Sequence, residues 1–239
     1  MKLAVISDIH SNLAALKKSL EYIHDVKPDK IVCLGDIVGY GPRPNECIEM
    51  IRDNCQISLM GNHDHAVLGL TDTYHFNQYA REAINWTRRT LTIPNKAYLE
   101  GLTFSHHEHK LLFVHSTPDH PEDWHYILSE YEAGQHLQTI SQKICFVGHS
   151  HIPVVYGTNT HAVYQEELKL DVKSDKFIIN VGSVGQPRDG DPRLCFVIFD
   201  TETSVLKYVR LEYPIHETYD EIMENQLPPF LAMRLTAGH

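Results

Sequence analysis

A chain of 239 residues, 42% of them hydrophobic and 22% charged, is long enough to bury most of what unfolding would expose, which excludes disorder and small disulfide-stapled scaffolds. Its 31 acidic against 21 basic side chains give a net charge of −10 with histidine neutral, so no chain-wide basic surface exists to neutralise an extended nucleic acid. No apolar run approaches the roughly 20 residues of a membrane helix, the first residues lack a signal-peptide core, and five scattered cysteines, none spaced as CxxC, suggest neither disulfides nor a thiolate zinc site.

A cytoplasmic protein without membrane contact is therefore expected, and at roughly 150 residues per domain the length favours a single domain over 1–239. Residues 2–7 form an apolar run rich in strand formers. Residues 12–26 follow with Leu13, Leu16, Leu20 and Ile23 on helical spacing. Residues 30–34 read as a buried strand, 44–54 as a helix opened by proline and 56–60 as a third strand, and such a βαβαβ start predicts a parallel sheet. Helical stripes are expected over 76–87 and 130–140, with strands at 110–115 and 144–147. Beyond Ile152 come short strands at 154–157, 161–165, 168–172, 177–181, 195–200 and 205–211, which predict a largely antiparallel second sheet. A helix over 215–225 and a short segment over 228–235 would cover one face.

The polar residues that matter lie where these strands end. Asp8 and His10 follow the first strand, Asp36 the second, Asn62, His63 and Asp64 the third, His115 the fourth, and His149 and His151 the fifth. Singly, each is an ordinary turn carboxylate or surface histidine. Together they place a nitrogen or oxygen donor at five successive strand ends and a thiol at none, and ligands of an open parallel sheet gather at those ends. Two Asp, one Asn and four His suit Mn, Fe, Zn, Ni or Co and are too many for one ion of four to six coordination, so two divalent transition-metal ions are implied.

The blocks SDIHSN (7–12), GDIVG (35–39), GNHD (61–64), VHS (114–116) and GHSH (148–151), in this order, resemble those of the calcineurin-like metallophosphoesterases. The likeness spans nearly the whole chain and is strongest to the compact bacterial and archaeal branch of phosphodiesterases and diadenosine tetraphosphatase-like phosphatases, which also has stretches like GYGPRPNE (39–46) and NVGSVGQPRDGDPR (180–193). Ser116 stands where glycine is usual and Ser150 where threonine is commoner. The resemblance implies a four-layer α/β/β/α sandwich of two facing mixed β-sheets flanked by helices. It implies one metal held by Asp8, His10, Asp36 and His151 and another by Asp36, Asn62, His115 and His149, with Asp36 bridging and a bridging hydroxide attacking phosphorus. His63 would act as acid or leaving-group stabiliser, with Asp64 orienting it and holding its charged form.

Arg188, in a Gly/Pro-rich loop, is the candidate for holding a substrate phosphate, and Tyr40 for lining the leaving-group pocket. His106, His107 and His109 read as a solvated hairpin turn, and His120, Trp124 and His125 as a pocket wall. The expected substrate is a small phosphodiester or nucleotide. A phosphomonoester or phosphoprotein is the alternative within the same fold, and a non-catalytic scaffold, as in a retromer component of this fold, is the alternative of another class. No GxGxxG turn follows Ser7, which sets aside a dinucleotide-binding domain.

Overall fold

Alternation along the first strand decides the layering. In β1 (Lys2–Ile6), Leu3 and Val5 enter one apolar cluster while Ala4 and Ile6 enter another, as the two-residue period requires of a strand buried on both faces. The computed structural model describes residues 1–239, the side chain of His75 apart. After β1 come α1 (Leu13–Val26), β2 (Lys30–Cys33), α2 (Pro44–Asn54), β3 (Ile57–Ser58), α3 (Asn62–Val67), α4 (Gln78–Thr90), α5 (Ile93–Glu100), β4 (Ser105–Glu108) and β5 (Leu111–Val114). The chain continues through α6 (Glu130–Thr139), β6 (Ile144–Val147), β7 (Val154–Gly157), β8 (Glu167–Lys169), β9 (Phe177–Asn180), β10 (Leu194–Asp200), β11 (Val205–Leu211), α7 (Ile215–Glu224) and α8 (Pro229–Ala237).

Two mixed sheets face each other, with strand orders β3-β2-β1-β10-β11-β8 and β4-β5-β6-β9-β7. Leu3, Val5, Val32 and Leu34 of the first sheet meet Phe113, Phe146 and Ile179 of the second in the central layer. The outer face of the first sheet packs on Leu16, Leu20 and Ile23 of α1, and that of the second on Ala133 and Leu137 of α6.

The antiparallel sheet expected from the C-terminal half does not form by itself. Its strands are divided: β10, β11 and β8 extend the first sheet beside β1, whereas β9 joins β6 in parallel and β7 pairs antiparallel with β9. The reason lies in β10, whose apolar residues go alternately into the central layer (Cys195, Val197, Phe199) and the outer one (Leu194, Phe196, Ile198). A strand apolar on both faces belongs in a sheet interior. Of the strand expected over 161–165 only a bridge between Val163 and Val155 exists. His106 and His107 lie in β4, an edge strand paired with β5, and only His109 takes the turn, at φ 53°.

Phe146 sits at the centre of the inter-sheet layer, stacked on Phe113 at 5.3 Å between ring centroids and edge-on to Phe199 at 5.6 Å. Phe146→Ala is expected to lower unfolding stability by about 3–5 kcal/mol in denaturant titration, whereas Tyr131→Ala, at a side chain 75% exposed, should change it by less than about 0.5 kcal/mol.

Candidate metal centre

The loops after β1, β2, β3, β5 and β6 converge where the two sheets meet at one end, so the donors come from both sheets rather than from one parallel sheet. Backbone bonds fix them: the Asp8, His10 and Ser11 amides donate to the Gly35, Asp36 and Ile37 carbonyls at 2.9–3.0 Å. Asp8, His10, Asp36 and His151 bring one donor atom each within 4.8 Å of one another, and so do Asp36, His115 and His149. Asp36 is common to both groups. Its Oδ2 lies 3.6 Å from His10 Nε2 and 3.4 Å from His115 Nε2, and Asn62 Oδ1 is 3.3 Å from the latter.

The hydrogen bonds decide which ring nitrogens are free to bind a cation. His10 Nδ1 faces the Val38 carbonyl at 3.2 Å and His151 Nδ1 the Gln186 carbonyl at 2.5 Å. A carbonyl only accepts, so both Nδ1 atoms carry the proton and both Nε2 atoms present lone pairs. Those two lone pairs face each other at 3.1 Å. Likewise His149 Nε2–H donates to the Trp124 carbonyl at 2.9 Å, leaving Nδ1 as its lone-pair nitrogen. His115 Nε2 is surrounded by acceptors: Asn62 Oδ1, Asp36 Oδ2 and, at 4.0 Å, Asp8 Oδ1. Buried lone pairs aimed at one another are resolved by cations, and the donor set fits two borderline divalent ions.

The electrostatics agree with that geometry. Burial would raise the carboxyls of Asp8 and Asp36, but the histidines around them, His151 for Asp8 and His115 for Asp36, hold both below the ordinary carboxylate range. Burial drives His10 well below the usual histidine range, His151 below it, and His149 down to about 3, so these rings are neutral, as ligands must be. His115 is the exception. Burial lowers it, yet the charge and hydrogen bond of Asp36 together with the charges of Asp8 and Asp64 outweigh burial and lift it to about 9.

His63 lies on the cleft side of this cluster, its ring centroid 4.8 Å from that of His10 and 4.4 Å from that of Tyr40, with Nδ1 buried and unpartnered. A side chain on Gly39 would collide with that nitrogen. Burial, with the charge of Arg188 adding to it, lowers His63 to about 4. The expected Asp64–His63 contact is not made: the Asp64 oxygens accept from the backbone amides of Val38 (3.0 Å) and Gly61 (3.1 Å). As the third residue of α3, Asp64 folds back over the helix start, as a capping carboxylate does. Burial lifts it to about 7, so it does not supply a fixed charge to His63.

A cleft of about 560 Å³ reaches the centre at Asn62, His63 and His149 and is walled by Tyr40, Trp124, His125, Tyr126, Arg188 and Arg234. Arg188 Nη2 donates to Tyr40 Oη at 3.3 Å and to Gln186 Oε1 at 3.1 Å. His120 stands apart, exposed beside Glu122 at 3.8 Å. His106 and His107 contact Glu108 and Gln142, and among the described residues they gather no third ligand. Ser116 Oγ donates to the Pro121 carbonyl at 2.7 Å and Ser150 Oγ accepts from Asn180 Nδ2 at 2.9 Å, so both departures from the family blocks brace their own loops.

Four further residues support the site, and three of them, Asn180, Tyr126 and Arg234, escaped the sequence reading. Asn180 also donates to the Gly148 carbonyl and ties the 148–151 loop to β9. Its place at a sixth strand end was the signal for it. Asn12 caps α1 and bonds to Gly185 O and Tyr213 Oη. Tyr126 stacks on His149 at 3.9 Å. Arg234, on α8, carried no sequence signal.

Residues 1–204 match the calcineurin-like phosphoesterase superfamily domain. The chain belongs to that superfamily. It is 43% identical to a protein of Methanocaldococcus jannaschii over 99% of this chain and 98% of that one. The crystal structure of a metallophosphoesterase from Sphaerobacter thermophilus superposes with a TM-score of 0.90 at 39% identity, covering 100% of this chain and 99% of the other. Over a shorter stretch, 31% of this chain and 29% of the relative, it is 31% identical to the symmetrical bis(5′-nucleosyl)-tetraphosphatase of Thioalkalivibrio sulfidiphilus. The facing mixed sheets are those of this superfamily, and the clustered Asp and His residues form its kind of metal site.

Asp36→Asn is expected to remove more bound metal than Asn62→Ala in elemental analysis after dialysis, because one amide replaces a carboxylate that faces both donor groups. A second expectation concerns pH. His115 is raised in the folded chain from its ordinary value of about 6.5, so its contribution to metal-free stability is complete below pH 6.5 and is lost as the pH climbs through about 9. In chelator, Tm should fall from pH 6.5 to 8 more in the parent than in His115→Ala, while metal affinity in the parent rises over the same interval as the His115 proton becomes easier to displace.

Proposed function

We propose that this chain hydrolyses a small phosphodiester or nucleotide, using two divalent ions held by Asp8, His10, Asp36 and His151 and by Asp36, Asn62, His115 and His149. The reading is carried by one observation: two buried donor groups share Asp36 and open, through Asn62 and His149, into a cleft that also presents His63 and arginines. Bound divalent ions supply Lewis acidity toward a phosphoryl group and bring the acidity of water toward neutral pH. Mn, Fe, Zn, Ni or Co fits the mixed oxygen and nitrogen donors. A cleft sized for a small molecule favours a diester or nucleotide over a phosphoprotein.

The chain's own residues then divide the work. Arg188 holds a phosphate oxygen with its planar fork, and Tyr40, which accepts from it, sets its position. His63 protonates the leaving oxygen. Burial, with the charge of Arg188 adding to it, keeps its basicity low, and an arriving phosphate anion offsets the Arg188 charge and favours the protonated ring. Asp64 acts through the backbone, fixing Val38 and Gly61 around His63, so it is a positioning residue. The free thiols and the absence, among the described residues, of any helix able to cross a membrane support a cytoplasmic placing.

His63→Ala should retain its metals by elemental analysis and lose about 10²–10⁴ in kcat on a chromogenic phosphodiester, the worth of a positioned acid. Chelation should abolish turnover of the parent and divalent ions restore it. Metal loss in the His63 variant, or full turnover in chelator, would refute the assignment.

A further inference from the structure

Two guanidinium groups flank one aromatic ring in the cleft. The central carbon of Arg188 lies 5.9 Å from the Tyr40 ring centroid and that of Arg234 lies 5.8 Å from it, and Tyr40 itself packs against His10 at 4.6 Å and His63 at 4.4 Å. Both cations are therefore one ring removed from the metal-binding cluster. Neither meets an Asp or Glu side chain among the described residues, whereas Arg43, Arg193 and Arg210 all do. Arg188 Nε is buried with no hydrogen-bond partner. Two like charges held near each other in a partly desolvated cleft, in a chain of net charge −10, are an unfavourable arrangement unless an anion completes it. Burial first, and the charge of Arg188 next, lower Arg234 from its ordinary value.

The arrangement is built rather than incidental. Arg234 Nε donates to the main-chain oxygen of His239, the last residue, at 2.7 Å, and its guanidinium also lies over Phe230 at 5.5 Å. The helix ends on Gly238 at φ 66°, whose N–H closes on the Arg234 carbonyl. The Gly190 amide donates to the Gly238 carbonyl at 2.9 Å, and a Cβ on Gly238 would meet the Asp191 backbone at 2.7 Å. The end of α8 is thus fastened onto the loop that carries Arg188, so two elements distant in sequence deliver their arginines together. Arg234 lies outside residues 1–204, the part matched to the superfamily domain.

We propose that Arg234, beside Arg188, binds a second phosphate of the substrate, one that is not attacked, so that the preferred substrates carry at least two phosphates in line. This rests on the phosphoesterase reading above and narrows it: one phosphate is held at the metal centre, while the next along a polyphosphate chain reaches the paired guanidiniums across Tyr40. A guanidinium fork suits phosphate oxygens, and Trp124 and Tyr126, which also line the cleft, leave apolar surface for what the polyphosphate is attached to.

The test compares parent, Arg234→Met and Arg234→Lys as full chains with Mn, on diadenosine tetraphosphate and on bis(p-nitrophenyl) phosphate, which has one phosphate. The Met variant should lower kcat/KM for the tetraphosphate about 10- to 100-fold more than for the single-phosphate diester, the worth of one charged hydrogen bond, and the Lys variant should recover part of that difference. Independently of turnover, calorimetric titration of inorganic tripolyphosphate into the metal-free chain should show binding weakened at least tenfold in Arg234→Met. Equal losses on both substrates, or tripolyphosphate binding as tight as in the parent, would overturn the proposal. Should the parent hydrolyse neither compound, the phosphoesterase reading fails, and the tripolyphosphate titration still decides the role of Arg234. Thermal melts establish that each variant is folded, and Arg234→Gln replaces the Met variant if that one melts early.

Discussion

Two carboxylates and four imidazoles are packed with their free electron pairs toward a common centre, all of them buried. The facing Nε2 atoms of His10 and His151 state the problem in its smallest form: each ring already donates its one N–H to a backbone carbonyl, so neither has a hydrogen to offer the other. Only positive charge relieves such a contact. In the absence of metal the chain finds one partial remedy, a proton on His115, which Asp36, with the charges of Asp8 and Asp64, holds there against the cost of burial. The protonated imidazole occupies the place in the charge balance that a divalent ion takes when bound. Metal binding and proton release are therefore coupled at one residue.

The backbone is shaped around the same centre. Asp8, His10, Asp36, His149 and His151 all have φ between 49° and 67°, a region that costs a non-glycine residue about 1–2 kcal/mol. Five such residues within one cluster amount to a sizeable share of the roughly 5–15 kcal/mol that holds an average domain folded. What keeps them there is the lacing of loops from different strands: β1 to β2 through the Asp8, His10 and Ser11 amides, β1 to the 182–188 loop through Asn12 and Ser183, and β6 to β9 through Asn180. Every one of these ties joins elements distant in sequence. The strain is local, and the support for it is global.

That division explains what could be read from the residues alone. The strand β1 and the helices α1 and α2 declare themselves through local periodicity, and the donors Asp8, Asp36, Asn62, His115 and His149 through their position directly after apolar runs. Local pattern could not say that the strands after Ile152 would be shared between two sheets, since β10 and β9 differ little as apolar runs and are separated only by which neighbour they find. It also could not say where the Asp64 carboxylate would turn. Next to a histidine in sequence it invites pairing with that histidine, yet as the third residue of a short helix it meets backbone amides first. Arg234 is the extreme case, an arginine on a C-terminal helix whose meaning comes wholly from the 188–191 loop it packs against.

Placing the proposed phosphate-binding arginines on late elements has a physical consequence for which residues of the cleft can vary. The metal donors lie on loops that are mutually hydrogen-bonded and rooted in the inter-sheet core, so a change in any one of them disturbs both charge balance and backbone strain. Among the cleft residues, Tyr126 stacks on His149 and the Arg188 amide donates to the His151 carbonyl at 3.4 Å, while α8 with Arg234 is tied to the Arg188 loop at Gly190. Arg234 contacts Tyr40, Phe230 and His239 rather than a candidate metal donor, so its exchange leaves those donors in place. A donor cluster whose geometry tolerates little change is thereby combined with a cleft position, Arg234, whose chemistry can vary without moving those donors.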